Sequence, residues 1–315
     1  YLESRSNEIG KKIDSLQSEI LGLAGEEFNL NSSQQLAVIL FDKLKLPMIK
    51  KRSTAEAVLS ELKDKHPLPE LMLSYRKLYK LKNTYLDPLP SYIDPNTKRV
   101  HSSFNQTMTA TGRLSTSSPN FQNIPIRTED GKEIRKAIKA QSNEYQIFSA
   151  DYSQVELRVM AHLSGDETLI SALNNGEDIH TFTAKNIFNV DSDDMVLPEM
   201  RRIAKIVNFG IMYGAGPYRL SQELDIPFGE AKQIKDSYFE KYKGIEKYIE
   251  NSKLQIKETK SVETLLGRKR AVWDSDSQNK IRRDAAERMA INMPIQGTAA
   301  EMIKLAMIKI HRQMN

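Results

Sequence analysis

In FSADYSQVELR, residues 148 to 158, an apolar run ends in Asp151 and the chain passes at once into a helical pattern. A carboxylate at such a junction suits a metal ligand, because strand ends beside helix starts are where α/β proteins place reactive groups. Phosphoryl transfer through two ions asks for more than one carboxylate, since each ion has a shell of hard oxygen donors to fill. The same local pattern allows plainer roles. Asp151 could cap the helix, and Glu156 in its first turn could serve only to favour the macrodipole.

A second stretch, MRRIAKIVNFGIMYGAG (200 to 216), sets Arg201, Lys205, Phe209 and Tyr213 four residues apart, so they form one slowly turning line on a helix. The line runs from two cations to two aromatics, which suits a ligand with a charged end and a flat end, such as a nucleoside triphosphate. An amphipathic helix with an ordinary basic flank would show the same residues. In ERMAINMPIQGTAAEMIK (287 to 304), Arg288 and Asn292 share a face of an otherwise apolar helix, and Gln296 follows Pro294. Polar groups in so apolar a surface need partners. Minor-groove base edges, whose acceptors are nearly alike for every base pair, or an internal hydrogen-bond network would both serve. TATGRLSTSSPNFQNIP (109 to 125), with Arg113 its one charge, reads as an ordered loop presenting donors.

These groups need elements to hold them. From Ser6 to Leu23 the residues Ile9, Ile13, Leu16, Ile20 and Leu23 recur at spacings of four and three, the stripe of a long helix packed on another. A second helix is expected from NSSQQ, capped by Asn31 or a serine, to Lys45; a third after Ser53 and Thr54; a fourth after Pro69. Pro88, Pro90 and Pro95 then argue for an extended or turning linker over 86 to 96. Beyond it, 99 to 104 and 146 to 151 have strand character, with a polar, loop-rich segment between them. From Leu169 to about Ala290 the pattern is mostly helical, interrupted by a hairpin in SVETLLGRKRAVW (261 to 273) that turns at Gly267.

The 315 residues, 39% hydrophobic, can bury a sizeable core and suggest two or three structural units. There is no cysteine, no bilayer-length apolar run and no secretory leader, so a soluble, cytoplasmic protein is expected. The net charge of +5 permits a polyanionic partner without requiring one. Its distribution is more telling: KKR (50 to 52), YRKLYKLK (75 to 82), MRRIAK (200 to 205), GRKR (267 to 270) and KIRR (280 to 283) point to phosphate backbone.

Taken in order, TATGRL, SSPNFQNIP, DYSQVELR, RRIAKIVNFGIMYG and NMPIQGTAAE resemble the motifs of the family A DNA polymerases, the bacterial DNA polymerase I type, over essentially the whole chain. The resemblance implies a helix-rich α+β fold of right-hand architecture: a helical thumb (1–86), a palm with an antiparallel sheet (87–168, resuming at 289–315) and helical fingers (169–288). It implies template-directed DNA synthesis with two Mg2+ ions on primer-template DNA and deoxynucleoside triphosphates, by a monomer away from membranes. By resemblance Asp151 is a metal ligand, which displaces the capping role, and the Tyr152 carbonyl joins the shell of one ion. Gln154 would face substrate, and Glu156 would be the steric gate against a ribose 2'-hydroxyl, held by Tyr213. His180, Arg201 and Lys205 would bind the triphosphate, Arg201 and Lys205 serving with Asp151 as catalytic residues; Phe209 would pack on the sugar and Tyr213 near the templating position. Arg113, Arg288, Asn292 and Gln296 would follow the minor groove, with Gln122 and Asn123 near the duplex. Arg52 and Lys82 would grip phosphates, Arg52 beside a helix start that already favours an anion.

The chain departs from the family pattern in one respect. The family's His-Asp-Glu hairpin, which supplies the second metal-binding aspartate, is absent from these residues; Asp178 belongs to a helix start, and Asp191, Asp193 and Asp194 to a polar loop. A palm incomplete at its C-terminus and a weak or inactive chain are therefore expected, with a DNA-binding module as the nonenzymatic alternative. A single-subunit RNA polymerase is the neighbouring enzymatic reading, and Glu156 argues against it.

Overall fold

A computed structural model describes residues 1–124 and 129–314, and these fall into two compact units. The first comprises residues 1–105 and 115–148, the second 106–114 and 149–315.

In the first unit α1 (Leu2–Ala24) buries Ile9, Ile13 and Ile20, with Leu16 and Leu23 partly covered, as the stripe predicts. Gly25 ends it in the left-handed conformation at φ 67°, where its N–H reaches back to Leu21 and Gly22 carbonyls. α2 (Ser33–Ala37) is capped by Ser32, whose hydroxyl accepts from the Gln35 N–H at 3.3 Å, and runs on as a π-helical turn over Val38–Lys43. α3 (Glu56–Leu62) and α4 (Pro67–Leu81) follow; α4 opens on Pro67, two residues before the expected start, because a proline lacking its N–H loses nothing in the first turn. Leu36, Leu40, Leu59, Leu62, Leu68 and Met72 complete this core.

The proline-rich stretch is not an extended linker. Lys82–Leu86 continues α4 as a π-helical turn, and Pro88 opens the short α5 (Pro88–Ser91), the proline again standing where a helix tolerates it. The strand expected over 99–104 is shifted to β1 (Ser103–Asn105), which pairs antiparallel with β2 (Ser115–Ser117). The polar segment also holds α6 (Glu129–Arg135), in a run that composition marks as loop.

The strand expected at 146–151 does not form. Residues 141–153 are exposed, with Ile147 and Phe148 at 60% and 66%, and 145–152 have no regular structure. An apolar run becomes a strand only where neighbouring backbone takes up its N–H and C=O groups, and no strand among the described residues lies beside it.

The second unit is helical, as expected after Leu169. It holds α7 (Val155–Ser164), α8 (Glu167–Asn174), α9 (Ile179–Phe188), α10 (Pro198–Met212), α11 (Pro217–Leu224), α12 (Phe228–Lys241), α13 (Lys243–Thr259) and α14 (Lys280–Met314). The expected hairpin is present as β3 (Ser261–Glu263) and β4 (Lys269–Ala271), turning through Gly267 at φ 90°. Leu157, Met160, Leu169, Ile211, Tyr242 and Ile295 lie at the centre of its main core. Pro294 cannot donate to the Ala290 carbonyl, yet α14 continues past it, because Ala290, Ile291, Met293, Ile295 and Ala299 are buried around it. Gly297 lets hairpin and loop come close: a Cβ there would stand 2.5 Å from Thr264 Cγ2 and 3.4 Å from the Thr111 carbonyl. No helix among the described residues is long and apolar enough to cross a membrane.

Candidate functional site

Asp151 lies in the exposed segment ahead of α7 and does not cap it. The N-cap is Gln154, in the left-handed conformation at φ 55° and with no side-chain cap bond. The capping alternative is thereby removed, although nothing in the geometry assigns Asp151 a ligand. Tyr152 is also exposed, while the Gln154 Oε1 is buried without a partner. Among the described residues no group of three or more His, Cys, Asp or Glu side chains could hold a metal ion.

Glu156 differs sharply from Asp151. It is 9% exposed, and its carboxylate accepts from Arg113 Nη2 and, at 2.8 Å, from the Tyr213 hydroxyl. Burial, and then the hydrogen bond to Glu156, push the Tyr213 phenol up to about 12. The Gln296 amide faces the same guanidinium: in the orientation that satisfies both its ends, its oxygen accepts from Arg113 Nη1 and Nη2 at 3.2 Å, and its nitrogen donates to Thr111 Oγ1 at 3.2 Å. Arg113, Glu156, Tyr213 and Gln296 thus form one connected polar group drawn from a loop, α7, the end of α10 and α14.

α10 carries the predicted line. Phe209 and Tyr213 stack with ring centroids 6.2 Å apart, and the His180 ring lies 5.7 Å from Phe209. Arg201, two turns up the helix, holds Asp178 through two hydrogen bonds, Nε to Oδ1 at 3.2 Å and Nη2 to Oδ2 at 2.8 Å. Asp178 also caps α9, accepting from the Thr181 N–H at 2.8 Å. Although burial works against it, these bonds hold its carboxyl down to about 2. Lys205 has no ion-pair partner among the described residues.

Arg288 and Asn292 line a pocket of about 370 Å³ with Thr111, Tyr213, Arg219 and Arg270, and the Asn292 Oδ1 is buried with no hydrogen bond. Gly214, at φ 71°, makes room for this wall: a Cβ there would stand 2.9 Å from Arg288 Cγ. Three guanidinium groups line this one pocket, an arrangement chemically suited to anionic oxygens, although Arg219 is already paired with Glu223 at 2.7 Å.

The remaining predicted residues belong to the first unit and are tied up locally. Arg52 pairs with both Asp42 oxygens at 2.6 Å, beside a pocket of about 700 Å³ that Ser53, Thr54 and Arg76 also line. Lys82 Nζ donates to Ser6 Oγ at 2.7 Å and to both Asp87 oxygens at 2.8 and 2.9 Å. Gln122 accepts from the Thr116 N–H at 3.0 Å, and the Asn123 carbonyl accepts from the Tyr85 hydroxyl.

Three groups escaped the sequence reading. Arg219 and Arg270 join Arg288, and only the GRKR cluster hinted at Arg270. Asn208 is buried against His180, and its signal was a polar residue among Ala204, Val207 and Ile211 on the inner face of α10.

With the geometry in view, comparison with known proteins places the chain in a class. The model of DNA polymerase family A matches residues 1–315, and the chain belongs to that family. It is 51% identical over 316 residues to the thermostable DNA polymerase I of Thermus aquaticus and 47% identical over 311 residues to DNA polymerase I of Bacillus subtilis (strain 168), each alignment covering 98% of this chain. It spans only 38% and 35% of those relatives' lengths. Among solved structures, the POL domain of Pol1 from M. smegmatis, in complex with DNA primer-template and dNTP, matches 99% of this chain and 56% of its own, with a TM-score of 0.91 at 40% identity. The fold is the right-hand polymerase fold, helix-rich with small antiparallel sheets.

Proposed function

We propose that this chain provides the nucleotide- and primer-binding surfaces of an enzyme that adds deoxynucleotides to a primer 3'-hydroxyl on a DNA template. The observation that carries this reading is the face of α10, where Arg201, Lys205, Phe209 and Tyr213 run from charge to ring and end on the buried Glu156. A triphosphate would lie on Arg201, Lys205 and His180, exchanging the Asp178 carboxylate on Arg201 for phosphate oxygens of like charge. The sugar would lie against Phe209, and Glu156 would occupy the space of a 2'-hydroxyl. In the reaction the primer oxygen bonds to the α-phosphorus as the bond to pyrophosphate breaks, and the chain's share is to position and to neutralise charge.

Arg113, Arg288, Asn292 and Gln296 would meet the minor groove near the primer end, with Gln122 and Asn123 along the duplex. Arg52 and Lys82 would exchange Asp42 and Asp87 for backbone phosphates. On this reading residues 1–86 are the thumb, 87–168 and 289–315 palm, and 169–288 the fingers. Asp151 and the Tyr152 carbonyl would offer oxygen ligands to Mg2+. One carboxylate does not fill the shells of two ions, so these residues do not by themselves fit the two-ion site of the reaction. Primer extension by the 315-residue chain is accordingly expected to be weak beside its binding. Robust extension with Mg2+ and all four deoxynucleotides would show that other groups complete the site.

The direct test is titration of a deoxynucleoside triphosphate into the chain bound to primer-template. Lys205→Ala should weaken binding about tenfold, the loss of one charge-assisted contact. Unchanged affinity would remove the triphosphate from α10. Duplex affinity should also fall steeply with salt, and a flat response would contradict the phosphate contacts of Arg52 and Lys82.

A further inference from the structure

Beside the proposed ligand line, the buried flank of α10 holds a polar chain that reaches His180 and that the reading above leaves unused. Asn208, 1% exposed, stands with its Nδ2 3.2 Å from His180 Nδ1 and 3.1 Å from Thr183 Oγ1. Thr183, fully buried, lies 2.9 Å from the Tyr242 hydroxyl, itself fully buried. These contacts link α9, α10 and the residue between α12 and α13, and the His180 ring, 6% exposed, packs tilted against Phe209 at a centroid distance of 5.7 Å. A polar group this deep among apolar neighbours has a partner for each hydrogen it carries.

We infer that Asn208 is a positioning residue that holds His180 in one tautomer, with Nδ1 as acceptor and the proton on Nε2, so that the ring presents a fixed N–H to a phosphate oxygen. The inference rests on the triphosphate reading of the α10 face. A phosphate oxygen accepts and does not donate, so an imidazole facing it must offer an N–H. A neutral imidazole has only one, and placing it on Nε2 requires a donor opposite Nδ1. The Asn208 amide is that donor, and its second hydrogen goes to Thr183 Oγ1, which also lies 3.3 Å from the Asn208 Oδ1 and 2.9 Å from the Tyr242 hydroxyl. Had the amide oxygen faced Nδ1, the proton would sit there and a bare lone pair would face the phosphate. The surroundings favour the neutral ring: burial lowers the His180 pKa, and Arg201 and Lys205 lower it further against the opposing pull of Asp178.

The test is two-bond 1H–15N correlation on the 315-residue chain labelled with 15N-histidine, with His180 identified by the signal lost in His180→Gln. At pH 7.5, without nucleotide, His180 should appear as the neutral Nε2–H tautomer; the Nδ1–H tautomer or an imidazolium would overturn the inference with no variant needed. Asn208→Leu, similar in size and uncharged, should spread His180 over both tautomers and weaken triphosphate binding about fivefold, the loss of one aligned hydrogen bond. In the His180→Gln background it should cost nothing further. An equal loss in both backgrounds would mark Asn208 as structural only and overturn its positioning role. If the tautomer is as stated but His180→Gln binds triphosphate as well as the unaltered chain, the triphosphate reading fails at His180, and the positioning role falls with it.

Discussion

Asp151 and Glu156 stand five residues apart in one motif and live in opposite surroundings. Asp151 lies in an exposed, irregular segment that pairs with no strand among the described residues. Glu156, in the first turn of α7, is buried between Arg113 and Tyr213. The comparison teaches that the two carboxylates differ in how much of the fold each one depends on. The Glu156 carboxylate is held through a network drawn from three other elements, while Asp151, proposed to face a metal, rests on a segment that pairs with no strand among the described residues.

That contrast can be broken by removing each carboxylate in turn. Glu156→Ala strands the Arg113 guanidinium and the Tyr213 hydroxyl and should destabilise the chain by about 2 kcal/mol, discounted for the half-exposed Arg113. Denaturant melts give the value, and a change within about 0.5 kcal/mol, the range of an ordinary surface substitution, would mean the Glu156 carboxylate is not held as described. Tyr213→Phe removes one of the two bonds and should cost about 1 kcal/mol, the worth of a single hydrogen bond.

The same pair has a signature in pH. The folded Tyr213 pKa, about 12, lies above the ordinary value of 10.0, so the folded state holds this proton more tightly than the unfolded state. Its contribution is therefore present in full below pH 10 and lost as pH rises towards about 12. Tyr213→Phe should remove that part of the alkaline decline in stability, and an unchanged alkaline limb would contradict the raised Tyr213 pKa, which burial and then the bond to Glu156 produce. Asp151→Ala should have the smallest effect, within about 0.5 kcal/mol of the unaltered chain.

The legibility of the sequence divides along the same line. Helices such as α1 and α10 were readable because their apolar spacing is long and uninterrupted, and the β3–β4 hairpin because Gly267 marks its turn. The run at 146–151 misled because strand propensity describes the residues and not the neighbour whose hydrogen bonds a strand requires. Pro88 read as a breaker when it was a first-turn residue. In the candidate site, residues sharing a helix face could be grouped in advance, as Arg201 to Tyr213 were. The partners that tie them down come from distant segments: Asp178 for Arg201, Arg113 for Glu156 and Asn208 for His180. No spacing rule links those pairs, and only the family resemblance anticipated that Tyr213 would hold Glu156.

The central claim is that the α10 face and Glu156 together receive a deoxynucleotide and reject a ribonucleotide. It is tested most directly by titrating matched deoxy- and ribonucleoside triphosphates into the chain bound to primer-template, with and without Glu156→Ala. The account predicts a clear preference for the deoxynucleotide in the unaltered chain, reduced at least tenfold when Glu156 is shortened, about 1.4 kcal/mol of discrimination. Equal discrimination by both proteins would contradict it.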